Sequence, residues 1–114
     1  MEQQIIEILK SQIFIVFSWG ADNFKAVKKQ GYSMNGLQFN VNGLKFKGTV
    51  TVMYDGGADL FDVFYNNKDT NETKKGIYFD ELVETIDNYV EKTDNYQETL
   101  QEYMKAEGIE YVEI

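Results

Sequence analysis

Apolar positions change their period repeatedly along this chain, and each change predicts an element. Ile5, Ile6 and Leu9, with Ile13 continuing the stripe, fall at helical spacing and predict a short helix over residues 3–11. Glu2 stands near its N-terminal end, where a negative charge suits the helix dipole. Ile13-Phe14-Ile15-Val16-Phe17 then breaks the period. A run of β-branched and aromatic residues reads as a strand covered on both faces, with continuation of the helix as the rival. Residues 20–36 follow as a polar connection with Gly20, Gly31, Gly36 and the lysines Lys25, Lys28 and Lys29. A short helix from Asp22 to Lys29, capped by Asp22, is compatible with that stretch.

The central part alternates clearly. Leu37, Phe39 and Val41 alternate with polar residues, and Asn42-Gly43 follows, the dipeptide best suited to a two-residue type I′ hairpin turn. Leu44, Phe46, Val50, Val52 and Tyr54 then alternate with Lys45, Lys47, Thr49, Thr51 and Met53. This predicts a hairpin with one buried and one wet face. Asp55-Gly56-Gly57-Ala58-Asp59 supplies a second turn, and Phe61, Val63 and Tyr65 mark the buried side of the returning strand. A polar loop from Asn66 to Glu72 precedes a last strand at about Lys74 to Phe79.

At Asp80 the period becomes helical. Asp80 is a suitable N-cap, Glu81 and Glu84 fall in the first turn, and Leu82, Val83, Ile86, Tyr89 and Val90 form one apolar face up to Lys92. Thr93 or Asp94 caps a second helix, in which Tyr96, Leu100, Tyr103 and Met104 repeat the spacing and Gly108 is its C′ residue. Ile109 to Ile114 is an edge strand or a frayed end. The sum is one α+β domain over residues 1–114. It is a four- to five-stranded antiparallel meander with an N-terminal helix and two C-terminal helices packed on one face.

Composition narrows the chemistry. The 114 residues contain no Cys, His or Pro, and all 11 basic residues are lysines. Disulfides, thiolate nucleophiles, Cys- or His-ligated zinc and Ser-His-Asp sites are therefore excluded. The bidentate guanidinium fork that reads phosphate and guanine is also missing. The longest apolar run, Ile13–Phe17, is far short of the roughly 20 residues of a spanning helix. Met1-Glu2-Gln3-Gln4 has no basic n-region, so a cytoplasmic protein without a membrane partner is expected.

Charge changes the picture more. The formal net charge is −8, but residues 80–114 hold 11 acids and 2 lysines while residues 1–79 hold 8 acids and 9 lysines. Glu84, Asp87 and Glu91 project opposite the apolar stripe of the first C-terminal helix, and Glu98 and Glu102 lie four apart on the second. This row reads either as a solubilising surface or as a contact face for a basic protein. In its extreme form it would imitate the phosphates of DNA and inhibit a nucleic-acid-binding protein. Direct nucleic-acid binding is disfavoured, because phosphate neutralisation supplies most of that affinity. Lys45 and Lys47, on an exposed strand face, read as guards against edge aggregation.

Trp19, the single tryptophan, stands with Asp22 at the end of the apolar run. The pair would line a small-ligand pocket, or Trp19 closes the core while Asp22 caps a helix. Asp55, Asp59 and Asp62 read as turn residues rather than a cation site. Asp69-Thr70-Asn71-Glu72-Thr73 begins like a calcium loop, but its glycine falls at Gly76 and no Glu closes it. Tyr32, Tyr96, Tyr103 and Tyr111 are surplus aromatics available for a homodimer interface.

Gly36-Leu37-Gln38-Phe39, Lys47-Gly48-Thr49-Val50, Asp59-Leu60-Phe61-Asp62-Val63 and Asp80-Glu81-Leu82-Val83-Glu84-Thr85-Ile86-Asp87, with Trp19-Gly20-Ala21 upstream, form a pattern. It resembles small uncharacterised proteins of gut bacteria and their mobile elements or phages. The resemblance implies an accessory protein that acts by binding, and it carries over no catalytic residue or cofactor. The expected function is thus a small acidic, non-enzymatic protein–protein interaction module, with the partner face at Glu84, Asp87, Glu91, Glu98 and Glu102. The alternatives are a ligand-binding domain with its pocket near Trp19 and Asp22, and a DNA-mimic inhibitor. No metal or cofactor is expected.

Overall fold

The computed structural model describes residues 1–92. Their order is α1 (Glu2–Lys10), α2 (Ile13–Ser18), β1 (Asp22–Val27), β2 (Gly36–Asn42), β3 (Lys47–Asp55), β4 (Leu60–Asn66), β5 (Asn71–Ile77), a 3-10 turn (Phe79–Glu81) and α3 (Leu82–Val90). The five strands form one antiparallel sheet in the order β1-β2-β3-β4-β5, with the helices packed against it. The α+β meander expected from the alternation is therefore observed. The second C-terminal helix and the tail strand expected beyond Lys92 lie outside the described residues.

One sheet face and three helices enclose the core. Leu37, Phe39 and Val41 of β2, Val50 and Val52 of β3, and Phe61, Val63 and Tyr65 of β4 meet Ile5 and Leu9 of α1 and Leu82, Val83, Ile86 and Val90 of α3. Each such aliphatic or aromatic side chain contributes about 1.5–3 kcal/mol when fully buried. Trp19, Phe39 and Phe24 form a column of rings, with the Phe39 ring centre 6.2 Å from that of Trp19 and 5.1 Å from that of Phe24.

Three expectations are overturned here. Ile13–Phe17 is helical, not a strand. Gln12 breaks α1 at φ −134 and ψ 50, and its carbonyl then accepts from Ile15 and Val16 at 3.1 and 3.2 Å. A helix satisfies its backbone locally, whereas a strand needs a neighbour, and the edge beside β2 is occupied by β1. Asp22 caps no helix, because Asp22–Val27 is that edge strand. It escaped the pattern because it has almost no buried side, and Asn23 at φ 56 sits in an irregularity between Asp22 and Lys25. Asp80 is no N-cap either: it lies in the 3-10 turn, and α3 starts after Glu81 without a side-chain cap.

The β2–β3 connection also differs. Asn42 pairs with Lys47, which leaves residues 43–46 as a four-residue loop, and Gly43 does not adopt a positive φ. Gly43 is needed for proximity instead: a β-carbon there would collide with the Val90 carbonyl oxygen and side chain. The loop ends α3. Lys45 and Phe46 N–H donate to the Val90 carbonyl at 2.9 and 3.2 Å, and Lys45 Nζ donates to the Asn88 carbonyl at 2.6 Å. These donors satisfy carbonyls that a helix C-terminus leaves orphaned, and the ammonium suits the negative dipole end. Lys45 is thus a helix cap rather than a guard on a strand face.

The opposite sheet face is not simply wet. Met53, Thr51 and Asp62 are buried there. The 28–35 connection reaches this face, where Tyr32 Oη donates to Asp62 Oδ2 at 2.6 Å and Lys29 Nζ lies 4.6 Å from the Phe64 ring centre. Asp62 Oδ1 accepts from Gly76 N–H at 3.1 Å, so one buried carboxylate ties the connection to β4 and β5. Tyr32 is therefore engaged within the fold.

Candidate functional site

The expected partner row divides once its side chains are placed. Glu84 is exposed on α3. Asp87 is half-buried and accepts the Trp19 indole N–H at 2.9 Å. Glu91, also half-buried, accepts the Leu44 N–H at 2.9 Å through Oε2. Two of these carboxylates therefore hold other parts of the fold. Glu98 and Glu102 lie outside the described residues. The remaining outward acids at this end are Asp80, Glu81 and Glu84, all exposed.

Trp19 and Asp22 are not brought together in a cavity wall. Trp19 is fully buried, its ring facing Phe39 and its N–H taken by Asp87. Asp22 is exposed on β1. Asp55 is a turn residue whose Oδ1 accepts from Gly57 N–H at 3.1 Å, and Asp59 accepts from the Tyr54 hydroxyl. Among the described residues no three carboxylates gather as a ligand set for a metal ion.

Sequence periodicity missed a prominent apolar surface among the described residues. On α2 only Val16 is buried. Phe14 is 86% exposed, Phe17 68% and Ile15 38%. Phe14 and Phe17 are three apart and so share one helix face. Read as a strand, these residues would be interior; read as a helix anchored by Val16 and Trp19, they must point outward. Tyr78 and Phe79, before α3, are exposed as well.

Among the described residues, two clefts lie on the helix side of the sheet. One of about 540 Å³ is bounded by α1, the β3–β4 turn and the Tyr78-Phe79 segment. The other, of about 240 Å³, lies between β4, β5 and α3 and is lined by Tyr65, Lys74, Thr85, Asn88 and Tyr89. Tyr65 and Tyr89 stack there at 3.8 Å. Burial, and then a hydrogen bond to Glu72, push the Tyr89 phenol up to about 12. Burial pushes the Tyr65 phenol up as well.

No family model, no curated protein and no solved structure compared with this chain matches it.

Proposed function

We propose that this chain is a small acidic, non-enzymatic protein–protein interaction module that meets its partner through the aromatic face of α2. The observation that carries this reading is the exposure of Phe14 and Phe17 on one short helix. Single exposed apolar residues are ordinary, but adjacent large ones form a patch whose covering releases water from both rings. Aromatic side chains are also the usual anchors of protein interfaces.

The partner's chemistry follows from charge. The chain carries −8 formally, with Asp80, Glu81 and Glu84 exposed before and along α3. A partner with an apolar groove and a basic rim fits, and long-range attraction would speed its association. An accessory role, as the sequence resemblance implies, belongs to the same reading, and so does the cytoplasmic location expected from the N-terminal sequence. Mimicry of DNA is the weaker variant, because Asp87 and Glu91 are committed to internal bonds.

The test compares the wild-type chain with a Phe14→Ser, Phe17→Ser double variant. Partners are captured from the source cells at about 0.05 M and about 0.5 M salt, where screening shortens from roughly 14 Å to about 4 Å. The captured protein is then purified and titrated. The expected result is at least about tenfold weaker binding by the double variant, more than 1.4 kcal/mol, with its melting temperature unchanged. Equal affinity of both forms overturns the α2 face. A dimer that the double variant dissolves makes a second copy the partner.

A further inference from the structure

The wider cleft, of about 540 Å³, falls within the roughly 300–1,000 Å³ typical of small-molecule sites. Its lining mixes two kinds of side chain. Tyr54, Phe61, Tyr78 and Phe79 bring four aromatic rings, and Glu7 and Asp59 bring two carboxylates. The Tyr54 and Phe61 ring centres are 5.4 Å apart with their planes tilted at 57°. Tyr78 and Phe79 stay 60% and 67% exposed. The face of an aromatic ring is the negative part of its quadrupole, so such rings attract a cation.

The charges on the wall point the same way. The one cation among the described lining residues is the Met1 ammonium, and Glu2 pairs with it at 3.2 Å. Glu7 has only the exposed Lys10 at 4.0 Å, a contact that water screens. Asp59 accepts the Tyr54 hydroxyl through Oδ1, which seats its carboxylate beside a ring. The β3–β4 turn sets up that bond: Asp59 lies at φ 58, and its N–H donates to the Asp55 carbonyl at 2.8 Å. Asp80 and Glu81, both exposed, follow Phe79 directly. Aromatic walls and an excess of negative charge thus meet in one space.

We propose that this cleft between α1, the β3–β4 turn and the Tyr78-Phe79 segment binds a small organic ammonium ion, its charge beside Asp59 and Glu7 and its alkyl groups against the aromatic rings. A metal ion fits poorly, because it demands several oxygen ligands and among the described residues no three carboxylates gather. An alkylated ammonium spreads its charge over carbon groups that pack on rings, which a hydrated metal ion does not. An anion would be repelled by both carboxylates. None of the lining residues belongs to α2, so the site stands or falls independently of that face.

The experiment is an NMR titration of the full chain with choline at fixed ionic strength. The second arm is its uncharged isostere, with carbon in place of the nitrogen. The expected result is saturable shifts at Tyr54, Asp59, Tyr78 and Phe79 with choline, and at least tenfold weaker binding of the isostere. Asp59→Asn keeps the turn, because Asn accepts a positive φ, and removes only the charge. It should weaken choline at least fivefold and leave the isostere unchanged. Phe79→Leu keeps an apolar wall without the ring quadrupole, and should weaken choline at least threefold and the isostere by less. Equal affinity for choline and its isostere overturns the proposal, since an apolar cleft alone would give that result. So do choline shifts that never saturate, and choline affinity unchanged in both variants.

Discussion

The Trp19 indole N–H donates to Asp87 Oδ1 at 2.9 Å, joining residues 68 positions apart in the sequence. The bond carries α2's end onto α3 and uses a carboxylate that the sequence places on a solvent-facing row. A charged acceptor makes it stronger than a neutral pair, and its loss would leave a buried N–H unbonded. Asp87→Ala should therefore destabilise the fold by about 1–3 kcal/mol, whereas Glu84→Ala, on the exposed side, should change it by less than about 0.5 kcal/mol. Urea unfolding followed by Trp19 fluorescence reads both. Equal effects would remove the structural role of Asp87.

Gly43 should resist substitution because of what it touches. A β-carbon would meet the Val90 carbonyl and side chain, where α3 is being capped by the Lys45 and Phe46 amides. Gly43→Ala should cost about 1–3 kcal/mol, as overpacking does. Had Gly43 served a type I′ turn, Asn would replace it with little cost. Here Gly43→Asn should be at least as damaging as Gly43→Ala, and thermal melts of the two variants decide between the explanations.

Alkaline pH should unfold the protein through its tyrosines. Burial and the Asp62 bond push Tyr32 from 10.0 up to about 12, and burial with Glu72 does the same to Tyr89. A phenol whose folded value is raised adds stability that is fully present below 10.0 and is lost as pH climbs through about 12. Over that window the unfolded chain releases protons that the fold keeps, so stability falls with rising pH. Urea midpoints should drop between pH 10.0 and about 12, and less steeply in Tyr32→Phe, which itself costs about 1 kcal/mol at neutral pH. A midpoint independent of pH across that range would contradict the Tyr32–Asp62 bond.

Phe14→Ser and Phe17→Ser should leave stability within about 0.5 kcal/mol of wild type, because both rings already face water. Val16→Ala, one helical position away and buried, should cost about 1–3 kcal/mol. Calorimetry on the three variants checks the contrast. Comparable losses at Phe14 and Val16 would mean that the run is interior, as a strand would be.

Local residue pattern was enough to identify the strands and helices that turn one regular face to the core. β2, β3 and β4 alternate in residue type, and α1 and α3 repeat at helical spacing, because each has a core side that the residue pattern records; the burial of Thr51, Met53 and Asp62 on the other sheet face is not written in that alternation. The sequence also determined which chemistries lack their groups, since a missing histidine, cysteine or arginine is missing from every fold. Tertiary structure decided the rest. β1 is an edge strand exposed along most of its length, so no alternation betrays it; only its pairing with β2 makes it a strand. α2 is apolar from Ile13 to Phe17, so its period is silent, and the Val16 and Trp19 anchors choose which residues face water. Whether Asp87, Glu91 and Lys45 serve a partner or the fold depended on contacts 43 to 68 residues away along the chain. Such distances are set by packing, which a local pattern does not encode.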